Sequence, residues 1–248
     1  SYDAQAGKNV TGTVAGTGTE ADPYQITCKE DMMRFAIVLN TDGAFGADCF
    51  GVAPTRDGAK QLRSAHFVVT NNIDLSGTGV YDLSRNDKYQ ENVQAEYAFR
   101  GTFAGVDNTI TITMDSHETN QYAIGLFPSV SNATFKNIII KTADNSPWAY
   151  ARSAAGIAPF VYGSLNLDTV TSKVHLIARQ ENTELYYGAI TARMVLNNAY
   201  GANVKTKDIV SDATIEKVRL NQYVGGLTAR ILAADANAGT TITMNGTT

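Results

Sequence analysis

Carboxylates, histidines and cysteines are the side chains from which a hydrolytic, metal-binding or redox site is built, and in this chain they are scattered. Asp107, Asp115, Asp144, Asp168, Asp208, Asp212 and Asp235 fall mostly in or beside turn-forming sequence, where an Asx turn accounts for them without chemistry. Sugar hydrolysis by inversion needs two carboxylates set across the substrate. Asn40-Thr41-Asp42 follows directly on an amphipathic segment and reads as a turn. His66, His117 and His175 lie far apart, and none has a Ser, Cys or Asp at a suggestive spacing. No glycine-rich loop precedes a helix in the manner of a phosphate cradle. These readings assign no catalytic residue, no metal site and no cofactor, and the expectation they set is a chain that is not an enzyme.

Cys28 and Cys49 are the only cysteines. Bonded to each other, they would staple one end of the domain, and chain entropy assigns a loop of this size roughly 3 kcal/mol. The disulfide is the expected state, with two unrelated buried thiols in a reducing compartment as the alternative.

Aromatic and basic residues supply a second kind of chemistry, recognition. Tyr122, Tyr186 and Tyr223 share one place in a repeated phrase and would form a ladder, a platform for the C–H face of a sugar ring. Stacked tyrosines also simply stabilise neighbouring chain segments, by about 0.5–1.5 kcal/mol per pair. Trp148 and Tyr150, in SPWAYAR, are a second exposed-aromatic candidate, although a lone Trp is as often a lid on the core as a ligand contact. Arg193 and Arg230 occupy equivalent places and would repel unless they are paired, with Glu184 or Asp235 as the plain partners, or hold an acidic glycan. Thr109, Thr111, Thr113, Thr240, Thr241 and Thr243 hint at the flat threonine ranks of an ice-binding surface, but intervening segments drop the pattern.

The element that must position these residues is a repeat. YYGAITARMV from Tyr186 and YVGGLTARIL from Tyr223 agree at almost every place, and YAIGLFPSV from Tyr122 and SAAGIAPFV from Ser153 are weaker copies. The second small residue falls at Gly125, Gly156, Ala189 and Gly226, and Leu126, Ile157, Ile190 and Leu227 follow it. A period of about thirty to forty residues with variable turns is the signature of stacked units. Between the copies run period-two stretches such as ATFKNIIIKT and SLNLDTVTSKVHLIA, broken by Gly, Asn and Asp. Strands of a sandwich have no reason to resemble one another. In a solenoid, equivalent positions meet the same neighbours coil after coil. The expected fold is therefore all-β, a single-stranded parallel β-helix forming one domain over 1–248: a strand and turn segment in 1–26, a helix over 27–39, and coils in 66–248. The helix, TCKEDMMRFAIVL, is amphipathic and opens on a Thr27/Glu30 capping box, and it would close the first coil. The polar stretch 78–96 reads as an extended turn.

Composition agrees. Of 248 residues, 44% are hydrophobic and 18% charged, so polar coverage falls to Ser, Thr, Asn and Gly, as suits strands and tight turns. A net charge of −4 with no basic stripe argues against nucleic acid as a partner. No apolar run reaches the length of a membrane span, and the first residues lack the regions of a signal peptide. The final TITMNGTT shows no cap, which suggests a piece of a longer protein.

GTGTEADPYQIT before the helix, FRGTFAGVDNTITITM from Phe99 and YAIGLFPSVSNATFKNIIIK from Tyr122 resemble the opening and repeats of bacterial cell-surface β-helix adhesins, including GLUG-type repeats. The likeness spans Gly16 to Lys141; Pro128 stands where such repeats commonly carry Gly. It implies a right-handed β-helix, secreted or on a bacterial surface, often one part of a longer adhesin, with host or cell-surface glycan or protein as partner. The same fold hosts polygalacturonases and pectate lyases. Of the polygalacturonase pattern only Asn40-Thr41-Asp42 is present, without the paired Asp-Asp, Gly-His-Gly or Arg-x-Lys. The expectation is a structural and adhesive module, with a polysaccharide-active enzyme or an ice-binding protein as alternatives.

Overall fold

The computed structural model describes residues 11–79, 83, 96–115, 123–149, 151–178, 184–196, 201, 203–217, 222–233 and 241–248. The chain is a single-stranded parallel β-helix: strand pairs join coils distant in sequence, and all of them run parallel. Four sheets form its walls. The long sheet runs through Tyr24–Ile26, His66–Val69, Thr102–Gly105, Ala133–Thr142, Leu165–Lys173, Asn203–Ser211 and Thr241–Thr247, with Ile73–Asp74 and Thr111–Met114 beside this path. Ala123–Ile124, Ser153–Ala155, Leu185–Gly188 and Gln222–Gly225 make a second, here the tyrosine sheet. The arginine sheet holds Ser129–Val130, Ala158–Tyr162, Thr191–Leu196 and Arg230–Ala233. A fourth consists of Trp148–Ala149, His175–Ala178 and Thr214–Lys217. From Ala123 onward each coil visits the tyrosine, arginine and long sheets in that order, whereas the strands before it belong to the long sheet alone.

Alternation along each strand sends every second side chain inward. Ala133, Phe135, Ile138 and Ile140 are buried, as are Leu165, Leu167 and Val170 in the next coil. Both series slip by one residue at the same height, and the cause is a left-handed backbone at Asn137 (φ 55°), Thr169 (φ 59°), Asp208 (φ 54°) and Gly246 (φ 61°). These four are aligned by the pairing of their neighbours, Lys136 with Asp168, Asp168 with Lys207 and Lys207 with Asn245. The extra residue bends the strand while keeping the apolar side of both halves inward. Asn, Asp and Gly tolerate this conformation, whereas a β-branched residue is strained in it. Thr169→Asn is expected to stabilise the protein by about 1 kcal/mol, read as a higher urea midpoint; a lower midpoint would count against strain at Thr169.

The repeated small residues lie at the corner between the tyrosine and arginine sheets. A Cβ on Gly188 would stand 1.7 Å from the Thr191 carbonyl oxygen, and one on Gly225 would stand 1.8 Å from that of Thr228. This backbone approach explains why the phrase reads Tyr-x-Gly in both coils. The aliphatics that follow, Leu126, Ile157 and Ile190, are fully buried.

The N-terminal end is closed by α1, Lys29–Asn40. The helix starts two residues later than the sequence suggests, because Cys28, not Thr27, is its N-cap and Asp31, not Glu30, stands three residues on. Asp31 Oδ2 accepts hydrogen bonds from both the backbone N–H and the hydroxyl of Thr27 at 2.9 Å, and Oδ1 accepts from Arg34 at 2.7 Å. The inward face of α1 carries Met32, Phe35, Ala36 and Leu39. Phe35 plugs the axis, its ring centre 4.3 Å from that of Phe67. Phe67 heads a column that continues in register through Phe103 and Phe135.

A second helix, α2 (Arg56–Arg63), was not apparent from the sequence, since only Ala59 and Leu62 supply it with buried apolar side chains. Thr55 caps it, accepting from Gly58 N at 3.2 Å. The disulfide is a correction: Cys28 and Cys49 are both free thiols. Cys28 begins α1, whereas Cys49 is buried in the 3-10 turn Ala47–Phe50, which follows Gly46, a residue that faces the later turns of that helix at Arg34, Ile37 and Val38. A disulfide requires Cα atoms within about 7 Å, and a helix rises by about 1.5 Å per residue. Burial raises the Cys49 thiol pKa.

At the C-terminal end, inward positions lie open. Val224 pairs with fully buried Tyr187, and Ile231 with nearly buried Met194, yet each is 42% exposed.

Candidate functional site

Tyr187 and Met194 point into the core, so strand alternation turns Tyr186 and Arg193 to the outer face of their sheets. These outer faces converge. The Arg193 guanidinium carbon, on the arginine sheet, lies 4.5 Å from the ring centre of Tyr186 on the tyrosine sheet, and 5.3 Å from that of Phe160. Ala123, Phe160, Tyr162 and Val195 form an apolar cluster in the same re-entrant corner, separate from the interior core. Through most of its length the corner is filled, with Phe160 and Tyr162 both 2% exposed.

It becomes accessible at the last coil. Tyr186 and Tyr223 are register partners whose rings stack with centres 5.1 Å apart and planes 7° from parallel. Tyr186 is 1% exposed and Tyr223 is 45% exposed, so one ring supports the other and only the second offers a face to solvent. Arg193 and Arg230 are likewise partners in register. Their charges are separated in function. Arg193 lies against aromatic faces, a favourable cation–π placement, while Arg230 Nη1 donates to the Tyr186 hydroxyl at 3.0 Å. That hydroxyl in turn donates to Glu184 Oε2. Glu184 thus meets the arginines through a tyrosine, and Asp235 lies outside the described residues. Burial is the chief cause of a raised Tyr186 pKa; the bond to Glu184 adds to it and the one from Arg230 opposes it.

The tyrosine ladder is shorter than the sequence suggests. The column through Tyr223 and Tyr186 continues to Ser153 and then Ala123, not Tyr122. The physical reason is the corner: Ala123 pairs with Ser153 but Ser129 pairs with Phe160, so this coil turns the corner in one residue fewer. Tyr122 itself, like Tyr150 and His117, lies outside the described residues. Trp148 is not an exposed aromatic. It is fully buried, with its indole N–H directed at the Met114 carbonyl at 3.4 Å. Phe160, Tyr162 and Glu184 belong to the corner and were not identified as a group; the alternating aromatics of APFVY were the available signal.

Other groups are placed apart. His175 Nε2 lies 2.7 Å from Glu216 Oε2 on the surface, Asp107 closes an Asx turn with Thr109 N at 2.8 Å, and Asp115 accepts from Gly77 N at 2.7 Å, joining two coils. On the long sheet the outward column reads His66, Thr102, Thr134, Asn166, Lys205, Thr243, which interrupts any threonine rank. Thr111 and Thr113 pair with Ile139 and Lys141. Among the described residues no helix is long and apolar enough to cross a membrane. No family model, curated protein or solved structure matches this chain.

Proposed function

We propose that this chain is a rigid contact module, secreted or displayed on a bacterial surface as in the adhesins that Gly16 to Lys141 resemble, and that it engages glycan through the outer corner of its last coil. The observation that carries the reading is the exposed ring of Tyr223, held flat on the buried ring of Tyr186 and flanked by Arg230. A ring that is already stacked on a fixed neighbour loses little freedom when a sugar packs on its other face. The arginine favours glycans that carry a carboxylate.

The test is a glycan array probed with the wild-type chain and with Tyr223→Ala. Tyr223 is half exposed, so its removal leaves the core intact. The expected result is a set of acidic glycans whose signals fall by roughly tenfold in the variant, about 1.4 kcal/mol of binding. Identical profiles would remove Tyr223 as the platform, and an empty array with both proteins would overturn glycan recognition.

A further inference from the structure

A cavity of about 190 Å³ lies at the end of the molecule opposite the last coil, lined by Arg56, Asp57, Lys60 and Arg63 of α2 together with Glu96 and Tyr97. Arg56, Lys60 and Arg63 are spaced four and three residues apart, so a single stripe of the helix carries three cations. Like charges at this spacing destabilise a helix, and α2 has few apolar residues to offset the cost. The stripe therefore calls for anions.

The three cations are satisfied unequally. Arg63 is 2% exposed, and its Nη2 donates to the Leu39 carbonyl at 3.0 Å and to Asp42 Oδ1 at 3.3 Å. Its guanidinium carbon lies 4.9 Å from the centre of the Tyr97 ring, and its buried Nε has no acceptor among the described residues. Arg56 lies 5.7 Å from the same ring and pairs with Glu96, but both of these side chains are about half exposed. Lys60 makes no ion pair among the described residues.

We infer that this cavity is an oxyanion site, in which Lys60 and Arg56 bind a carboxylate, sulfate or phosphate group above the anchored guanidinium of Arg63. Glu96 already places one carboxylate oxygen on Arg56 Nη2, so an anionic oxygen fits that wall. An exposed ion pair of this kind contributes little to stability, so an incoming anion displaces Glu96 readily. Arg63 stays in place because it is tied to Leu39 and Asp42. Asp42 answers Arg63 and Glu96 answers Arg56, so Lys60 supplies the charge that selects an anion over a neutral sugar. The volume admits a phosphate ion or a single sugar ring. Since the site lies on α2 and not on the last coil, it stands or falls independently of Tyr223.

Isothermal titration of the whole chain at low salt, with inorganic phosphate, D-glucuronate and D-glucose as separate probes, tests the assignment. Saturable binding of phosphate, glucuronate or both is expected, with none for glucose; the preferred anion identifies the source. Lys60→Gln, a change at an exposed position, should weaken that binding at least fivefold. Glu96→Gln should tighten it, because Arg56 is released, an effect that a purely structural role for the stripe would not produce. Absence of saturation by either anion, or affinities unmoved in both variants, would overturn the site.

Discussion

Phe35→Ala should lower the free energy of unfolding by about 3–5 kcal/mol, the range for removing a buried phenylalanine ring. The ring is fully buried and its centre lies within 6.4 Å of those of Phe50, Phe67, Phe99 and Phe127. It is therefore the point at which α1, the loop behind it and the first coils touch. Deleting it leaves a cavity on the solenoid axis whose walls are strands tied by ladder bonds, which cannot collapse inward to fill it. Domains are stable by only about 5–15 kcal/mol in total, so the variant should unfold at much lower urea. A loss below 1 kcal/mol would mean that the cap is not part of the cooperative unit. In a solenoid each coil contacts only its neighbours. The variant should accordingly show its greatest increase in hydrogen exchange in Tyr24–Ile26 and His66–Val69, the strands nearest the cap.

Trp148→Ala carries a similar expected cost, about 3–5 kcal/mol, measured by the same denaturation. Trp148 sits in a two-residue strand paired with Leu176 and Ile177, and its side chain is buried in the main core. As the only tryptophan, it also reports on its own surroundings: emission of the native protein should be shifted to short wavelength and move to the red on unfolding. Trp148→Phe should recover part of the loss, because a smaller ring refills some of the cavity. A neutral Trp148→Ala variant, or native emission already at the wavelength of the unfolded chain, would place the indole on the surface.

The contrast between Trp148 and the Tyr186–Tyr223 pair shows how far local sequence reaches. Tyr186, Arg193, Tyr223 and Arg230 were legible as equivalent because the phrases that contain them share Tyr, Gly and Thr-Ala-Arg at the same spacing and match in residue type between, and such phrases in successive coils occupy equivalent places. Tyr122 failed the same comparison because one coil turns the corner a residue sooner, and an ungapped reading aligns the glycines instead of the strands. Trp148 had no repeated phrase around it, and its two-residue strand has no alternation from which to read a direction. The helix α2 was hidden for a related reason, since its buried side includes Arg63, a residue that patterning counts as polar.

The coil repeat and its strand texture are properties of the chain alone. Alternation, turn residues and recurring small side chains act over a few bonds, and a solenoid only stacks such units. Orientation of single side chains was decided by the tertiary structure. Whether Tyr223 faces solvent, whether Cys28 meets Cys49, and whether three cations of α2 surround a cavity depend on contacts between segments distant in the chain, where a one-residue slip reverses the side chain. The tyrosine pair is thus a product of stacking: Tyr186 and Tyr223 meet ring to ring only because the β-helix sets residues of successive coils side by side.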